Sequence, residues 1–298
     1  MSFEFEAIGT HWWITIEDDI SATNKQKAFT ELEQIAKQFE KDYSRFIPES
    51  FIGRLNQEKH LEDFPPELYD MLQYSANISH ITDGHFSAAV GGTLASLGYD
   101  ENYSFTKSGK VLPGYILRLD KDKIELSNDA RVDLGGIGKG WLIDKLARHL
   151  KEKNIHFFCV NGGGDIFATT HKDGTAWEFF LENPRDKEEV IGTIQVKHAA
   201  IACSSPSRRQ WKDKNTGESL HHLIDQKSKL PVTSIKMVFT YGKDALSADT
   251  ASTALFVSPP VFWDRIQEVC EVNYLIFTEA GTIYQTEGYP GILFAADS

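Results

Sequence analysis

Cysteine is scarce and scattered: Cys159, Cys203 and Cys270 are the only three in 298 residues. Their odd number and the lack of any Cys-x-x-Cys exclude a disulfide framework and a paired-cysteine zinc or redox centre. Cys159 and Cys270 lie in apolar stretches, where a thiol is a small core residue. Cys203 adjoins a polar loop and reads as packing sooner than as a nucleophile. Positive charge is also in deficit, with 31 Lys and Arg against 43 Asp and Glu, a net −12. The cations are dispersed, which excludes a protein that grips nucleic acid through a broad basic surface. Such a chain binds an anion locally, with backbone amides, a metal ion or a few placed cations. No run approaches the ~20 apolar residues of a membrane helix. The first residues, MSFEFE, lack the basic and apolar regions of a signal peptide. As written, the sequence predicts a cytoplasmic protein with no membrane segment. Gly-x-Ser-x-Gly is absent, so a hydrolase of that design has no support.

What remains is ordinary globular composition, 41% apolar and 25% charged, without linker, low-complexity segment or repeat. One domain over 1–298 is expected. Alternation over 3–16 predicts two strand segments or one bulged strand, with Trp12 and Trp13 on opposite faces. Helical spacing runs over 21–39 and 65–79, with 44–56 a loop broken by Pro48 and Gly53. A hairpin is expected over 116–126, a strand end at 132–134 and a helix over 141–150. Strands follow near 157–160, 177–181, 192–196, 200–203 and 237–241, then helices over 247–257 and 260–271 and a terminal strand at 274–277. Strands outnumber helices and come in runs. This pattern favours an α+β fold with mixed or antiparallel sheets over a doubly wound one.

Three segments could carry chemistry. In VDLGGIGKG (132–140) a strand meets a glycine turn and a helix, which can aim amides at a phosphate beside Lys139. It is neither a Walker A loop nor a dinucleotide fingerprint. Read alone, it is equally a tight turn packed by glycine. In ADTASTA (248–254), Asp249 and Thr253 stand one helical turn apart. A carboxylate and a hydroxyl so placed suit Mg²⁺ beside a diphosphate; alone, they read more readily as a helix cap and a surface residue. In HHLID (221–225), paired histidines beside Asp225 could act as acid or base, or be hydrogen-bonded at a strand end. Phe46 could stack on a flavin or adenine ring, or anchor the core.

The order of the segments is more telling than any one of them. Ile8-Gly9-Thr10, Ser44-Arg45-Phe46, Arg54-Leu55-Asn56, Thr82-Asp83-Gly84-His85-Phe86, DLGGIGKG (133–140), NGGGD (161–165), HLID (222–225) and AD…STAL (248–255) together resemble the ApbE-type FAD:protein FMN transferases along nearly the whole chain. The resemblance implies FAD held between two interlocked lobes, with Mg²⁺ at its diphosphate. It assigns the metal to Asp249, Thr253 and the Gly136 carbonyl. Flavin and nucleotide contacts fall to Ile8, Phe46, His85, Phe86, Ser87, Asp133, Lys139 and His222. The implied partner is a flavoprotein acceptor presenting a Thr or Ser hydroxyl, with AMP released. His222 and Asp249 are the candidate bases.

The chain also departs from the family. FDPTVGPL becomes FSAAVGGT (86–93), SGxYxR becomes SSPSRR (204–209) and DPxTGxP becomes DQKSKLP (225–231). The metal pair is retained and the loops around it are not. Two other readings therefore stand beside the transferase: an Mg²⁺-dependent FAD pyrophosphatase, with water as acceptor, and a non-catalytic flavin-binding protein.

Overall fold

The computed structural model describes residues 1–108, 115–127, 130–186 and 188–294. The alternating N-terminal segment is an antiparallel pair, β1 (Ser2–Ala7) and β2 (Thr10–Ile16). A two-residue turn joins them with φ of 46° at Ile8 and 70° at Gly9, the backbone that matches strand twist in a tight hairpin. Trp12 is fully buried and Trp13 is 40% exposed, as neighbours on a strand must be. Helix α1 (Ala22–Tyr43) starts at Ser21, whose hydroxyl accepts from the Asn24 amide. The expected loop over 44–56 holds a further helix, α2 (Phe51–Glu58). Ser50 caps it by accepting from the Gly53 amide at 2.8 Å, so the glycine taken for a breaker lies inside a capped first turn.

Strand β3 (His60–Leu61) and helix α3 (Pro66–Ile81) follow, the latter opened by a proline that needs no donor there. After a short helix α4 (Gly91–Ser96), strands β4 (Ile116–Leu119) and β5 (Ile124–Leu126) form the expected hairpin, extended by β3. The predicted strand end at 132–134 is not one. The Asn56 side chain takes up both backbone groups of Val132, donating to its carbonyl at 2.9 Å and accepting from its amide at 2.6 Å. The Asp133 amide donates to Ala88. A side-chain amide thus does there what a neighbouring strand would do.

Helix α5 (Gly138–Glu152) begins within the glycine run. Strands β6 (Phe158–Gly162) and β7 (Asp165–Ala168) form a hairpin about Gly163-Gly164. β8 (Trp177–Glu182), β9 (Val190–Val196) and β10 (Ala199–Ser204) match the predicted strands. Two small hairpins were not foreseen: β11 (Gln210–Lys212) with β12 (Ser219–His221), and β13 (Ile224–Asp225) with β14 (Leu230–Pro231). The chain ends with β15 (Ile235–Gly242), α6 (Ala245–Val257), α7 (Trp263–Cys270), β16 (Asn273–Thr278), β17 (Ile283–Gln285) and β18 (Ile292–Leu293). The strand near 274–277 is therefore not terminal.

Eight strands form the main sheet in the order β1-β2-β6-β7-β10-β15-β16-β17, every neighbouring pair antiparallel. Its two faces follow the period of two. Phe158, Val160, Ala200, Ala202, Val238 and Ile276 join the helical core with α1, α5 and α6. Their neighbours Cys159, Met237, Phe239 and Leu275 pack toward the three-stranded sheet β8-β9-β18. The fold is α+β with antiparallel sheets, as the sequence suggested. A smaller lobe centres on Leu94, Leu97, Tyr99, Trp211, Leu220 and Ile224. The Trp211 indole donates to the Leu97 carbonyl at 2.9 Å, which fastens the β11–β12 hairpin to the segment after α4. Among the described residues, no helix is long and apolar enough to cross a membrane.

Candidate functional site

Helix α6 determines the site. It has no polar face, and of its 13 residues only Leu246 and Thr253 escape burial. Small residues let α5 come very close. A side-chain carbon at Gly140 would stand 2.3 Å from the Ala245 carbonyl oxygen, so only glycine fits. The approach brings the Gly140 amide to Asp249 Oδ2 at 2.8 Å and Lys139 Nζ to Asp249 Oδ1 at 2.8 Å. Asp249 does not cap α6: Asp244 does, accepting from the Ser247 amide at 2.8 Å. With Asp249 only 2% exposed, burying a carboxylate in mid-helix costs several kcal/mol unless it is paired. Here it is.

Asp165, at the start of β7, meets the same ammonium through Oδ2 and accepts from the Cys203 amide at 3.0 Å through Oδ1. Two carboxylates therefore share one ammonium. Burial raises the Asp165 carboxyl above the usual carboxylate range, and the Asp249 charge adds to the rise against the opposing pull of Lys139. Burial alone would depress Lys139, but the two carboxylates outweigh it and hold the ammonium above its ordinary value.

These groups form the floor of a cleft of about 590 Å³ between the main body and the smaller lobe. That volume suits one small ligand or part of a larger one. Phe86, Ser87, Asp133, Gly136, Lys139, His222, Asp249 and Thr253 all line it. Ile8 and Phe46 line an adjoining chamber of about 330 Å³, shared with Asp133 and Lys139. There Phe46 stacks on Tyr103, with ring centroids 5.4 Å apart, under the Arg45 guanidinium. His85 lines neither space; its Nδ1 lies 2.8 Å from Asp225 Oδ1.

His222 lies on the smaller-lobe side, where burial pushes its imidazole down to about 4. Its Nδ1 is 3.0 Å from the Arg209 carbonyl. A carbonyl can only accept, so Nδ1 carries the proton and Nε2 keeps a lone pair. The ring is a neutral base with a fixed tautomer.

Four amides of the glycine turn have partners within the protein. Gly135 donates to Asp133 Oδ1, Ile137 and Gly138 to the Leu134 carbonyl, and Gly140 to Asp249. With those amides taken up internally, the turn serves to place Lys139 and the Gly136 backbone. Two cations at the cleft that sequence reasoning did not count among the site residues are Arg208 and Arg209. Arg208 donates to Glu182 Oε2 at 3.0 Å, whereas Arg209 has no carboxylate of the described residues within 4.0 Å. Asp165 was flagged only as part of a glycine turn; its burial beside Asp249 has no local sequence signal.

The donors fit Mg²⁺. Asp249 offers a carboxylate, Thr253 a hydroxyl and Gly136 a carbonyl, all at the cleft surface. A side-chain carbon on Gly136 would lie 3.3 Å from Thr253 Cγ2, which shows how closely that backbone abuts the threonine. Among the described residues no three His, Cys, Asp or Glu converge into a metal cage. A few hard oxygens, with positions left for water and phosphate, are what Mg²⁺ prefers.

The cleft between the two lobes thus gathers a carboxylate–hydroxyl pair, a buried ammonium with two carboxylates and a neutral histidine. The sequence pattern of the ApbE family matches residues 8–275. The chain belongs to the ApbE family. It is 25% identical to the FAD:protein FMN transferase of Haemophilus influenzae, over 92% of this chain and 84% of that one. It is also 25% identical to the FAD:protein FMN transferase of Escherichia coli K12, over 95% and 85%. In three dimensions it resembles the ApbE protein of Thermotoga maritima, with a TM-score of 0.84, 24% identity and coverage of 96% and 97%. The flavinyl transferase ApbE of Pseudomonas stutzeri has a TM-score of 0.79, 20% identity and coverage of 96% and 94%.

Proposed function

We propose that this chain is an Mg²⁺-dependent FAD:protein FMN transferase acting as a single domain. It moves FMN from FAD to a Thr or Ser hydroxyl of a flavoprotein acceptor. The observation that carries this reading is the convergence of Asp249, Thr253, Gly136, Lys139 and His222 on one cleft. Asp249, Thr253 and the Gly136 carbonyl would hold the ion. When bound, Mg²⁺ supplies neutralising charge to the diphosphate of FAD.

The chain's own residues do the rest. Arg209 and Lys139 attract the diphosphate, and the Phe86 and Tyr99 rings offer apolar surface to the ligand. His222 Nε2 takes the proton of the acceptor hydroxyl. The hydroxyl oxygen bonds to the FMN phosphorus as the bond to the AMP phosphate breaks, and AMP leaves. The imidazole is neutral at pH 7, with the lone pair on Nε2 free. Ser87 stands where the family has an acidic residue; its hydroxyl accepts from the Ala89 amide at 3.1 Å and adds no charge to the cleft.

The test follows AMP release from FAD by the purified protein, with and without Mg²⁺ and with and without a candidate acceptor. AMP release that requires both Mg²⁺ and acceptor is expected. Release at the same rate without acceptor would make the protein a pyrophosphatase. Tight FAD binding with no AMP under any condition would make it a flavin carrier.

A further inference from the structure

The contacts on the cleft floor pose a question that the proposed reaction leaves open. Asp249, the carboxylate read as a metal ligand, already has both oxygens occupied, one by Lys139 and one by Gly140. The Gly140 contact is locked by helix packing. The Lys139 contact is not: it lies at the end of a flexible side chain that is still 26% exposed. Resting on the metal reading above, we infer that Lys139 is a built-in cation that holds Asp249 until a divalent ion displaces it. Asp165 is then the positioning residue that retains the displaced ammonium beside the site.

Three observations support this. First, the ammonium touches both carboxylates at once, so releasing Asp249 does not leave it unpaired. Second, Asp165 is held from behind. Its side chain is 3% exposed, and Oδ1 is anchored by the Cys203 amide, which aims Oδ2 at Lys139. Third, two buried carboxylates with one ammonium leave an excess of one negative charge. A site that bound no further cation would carry that desolvated charge without compensation. In this arrangement Asp165 is not a ligand and acts only through Lys139. A phosphate arriving with the metal meets an ammonium freed from Asp249 and still close by.

The experiment titrates the full-length, flavin-free protein with Mn²⁺ alone and follows free Mn²⁺ by electron paramagnetic resonance. Circular dichroism establishes that each variant is folded. Lys139→Met should tighten Mn²⁺ binding about fivefold or more, and Asp165→Asn should weaken it about tenfold. In the Lys139→Met background the Asp165→Asn effect should shrink to about twofold or less, because the lysine it acts through is gone. Should Lys139→Met fail to fold around two unpaired carboxylates, Lys139→Gln keeps a neutral donor there and must show the same direction. A merely structural role would weaken binding in every variant. Weaker or unchanged binding in the lysine variant overturns the inference, as does an Asp165→Asn loss of equal size in both backgrounds. If wild-type protein shows no Mn²⁺ binding that Asp249→Ala removes, the metal reading itself fails.

Discussion

The two walls of the cleft are built differently. The floor comes from α5, α6 and β7, where a glycine contact, a buried helix and backbone hydrogen bonds fix each group. The facing wall comes from the segments 86–93 and 204–231, which rest on the apolar cluster of the smaller lobe and are joined to each other by polar side chains. Thr93 donates to Gln226 Oε1 at 2.9 Å, and the Gln226 amide donates to the Ala89 carbonyl at 3.2 Å. Thr93 and Gln226 both stand where the chain leaves the family pattern, and here they are partners, 1% and 7% exposed. The departures form a connected structure of their own. The buried carboxylates and their ammonium sit on the tightly packed side, while the departures from the family pattern gather on the facing side.

Substitutions should separate the two walls. On the floor, Asp249→Ala is expected to lower Mg²⁺-dependent turnover about 10³-fold or more in protein that circular dichroism shows to be folded. Activity near wild type would remove the floor from the chemistry. His222→Gln, across the cleft, should reduce turnover about 10²–10⁴-fold while FAD binding persists, the mark of a proton acceptor. Gly140→Ala should destabilise the fold by about 1–3 kcal/mol in chemical denaturation, because the added carbon meets a carbonyl that cannot move without parting α5 from α6.

Acid sharpens the contrast, because the two buried histidines lie on the facing wall. Burial lowers His221 and His222 from 6.5 to about 4. As pH falls below 6.5 the unfolded chain takes up these protons before the folded one does. Their contribution is therefore complete above 6.5 and lost as pH drops toward 4, at a cost of roughly 3 kcal/mol for each histidine. Denaturation midpoints of wild type and His221→Asn across that window test the sign; a midpoint independent of pH in both would contradict it. The smallest effect is expected at the polar pair. Gln226→Ala should cost about 1–2 kcal/mol by leaving the Thr93 hydroxyl buried without its partner, and adding Thr93→Val should recover part of that loss.

Much of the floor was legible in the sequence. Asp249 and Thr253 fall one turn apart on an unmistakable helix, and the glycine run announces a close approach. The edge pair β1–β2 could be read from alternation, since one of its faces is buried and the other exposed, and the antiparallel sheet from strands that come in runs. What could not be read depends on distant partners. Asn56 replaces a strand at Val132, and Asp165 is 84 positions from Asp249 yet shares its ammonium. The amides of Gly135, Ile137, Gly138 and Gly140 are engaged internally, which local sequence does not reveal. The short hairpins β11–β12 and β13–β14 carry too few residues for a periodicity to emerge.

Transfer of FMN to a protein hydroxyl is tested most simply by the intact mass of an acceptor flavoprotein after incubation with this protein, FAD and Mg²⁺. The account predicts a gain equal to one FMN less one water, absent without Mg²⁺ and absent when the acceptor hydroxyl is removed. An unchanged acceptor mass while FAD is consumed would contradict it.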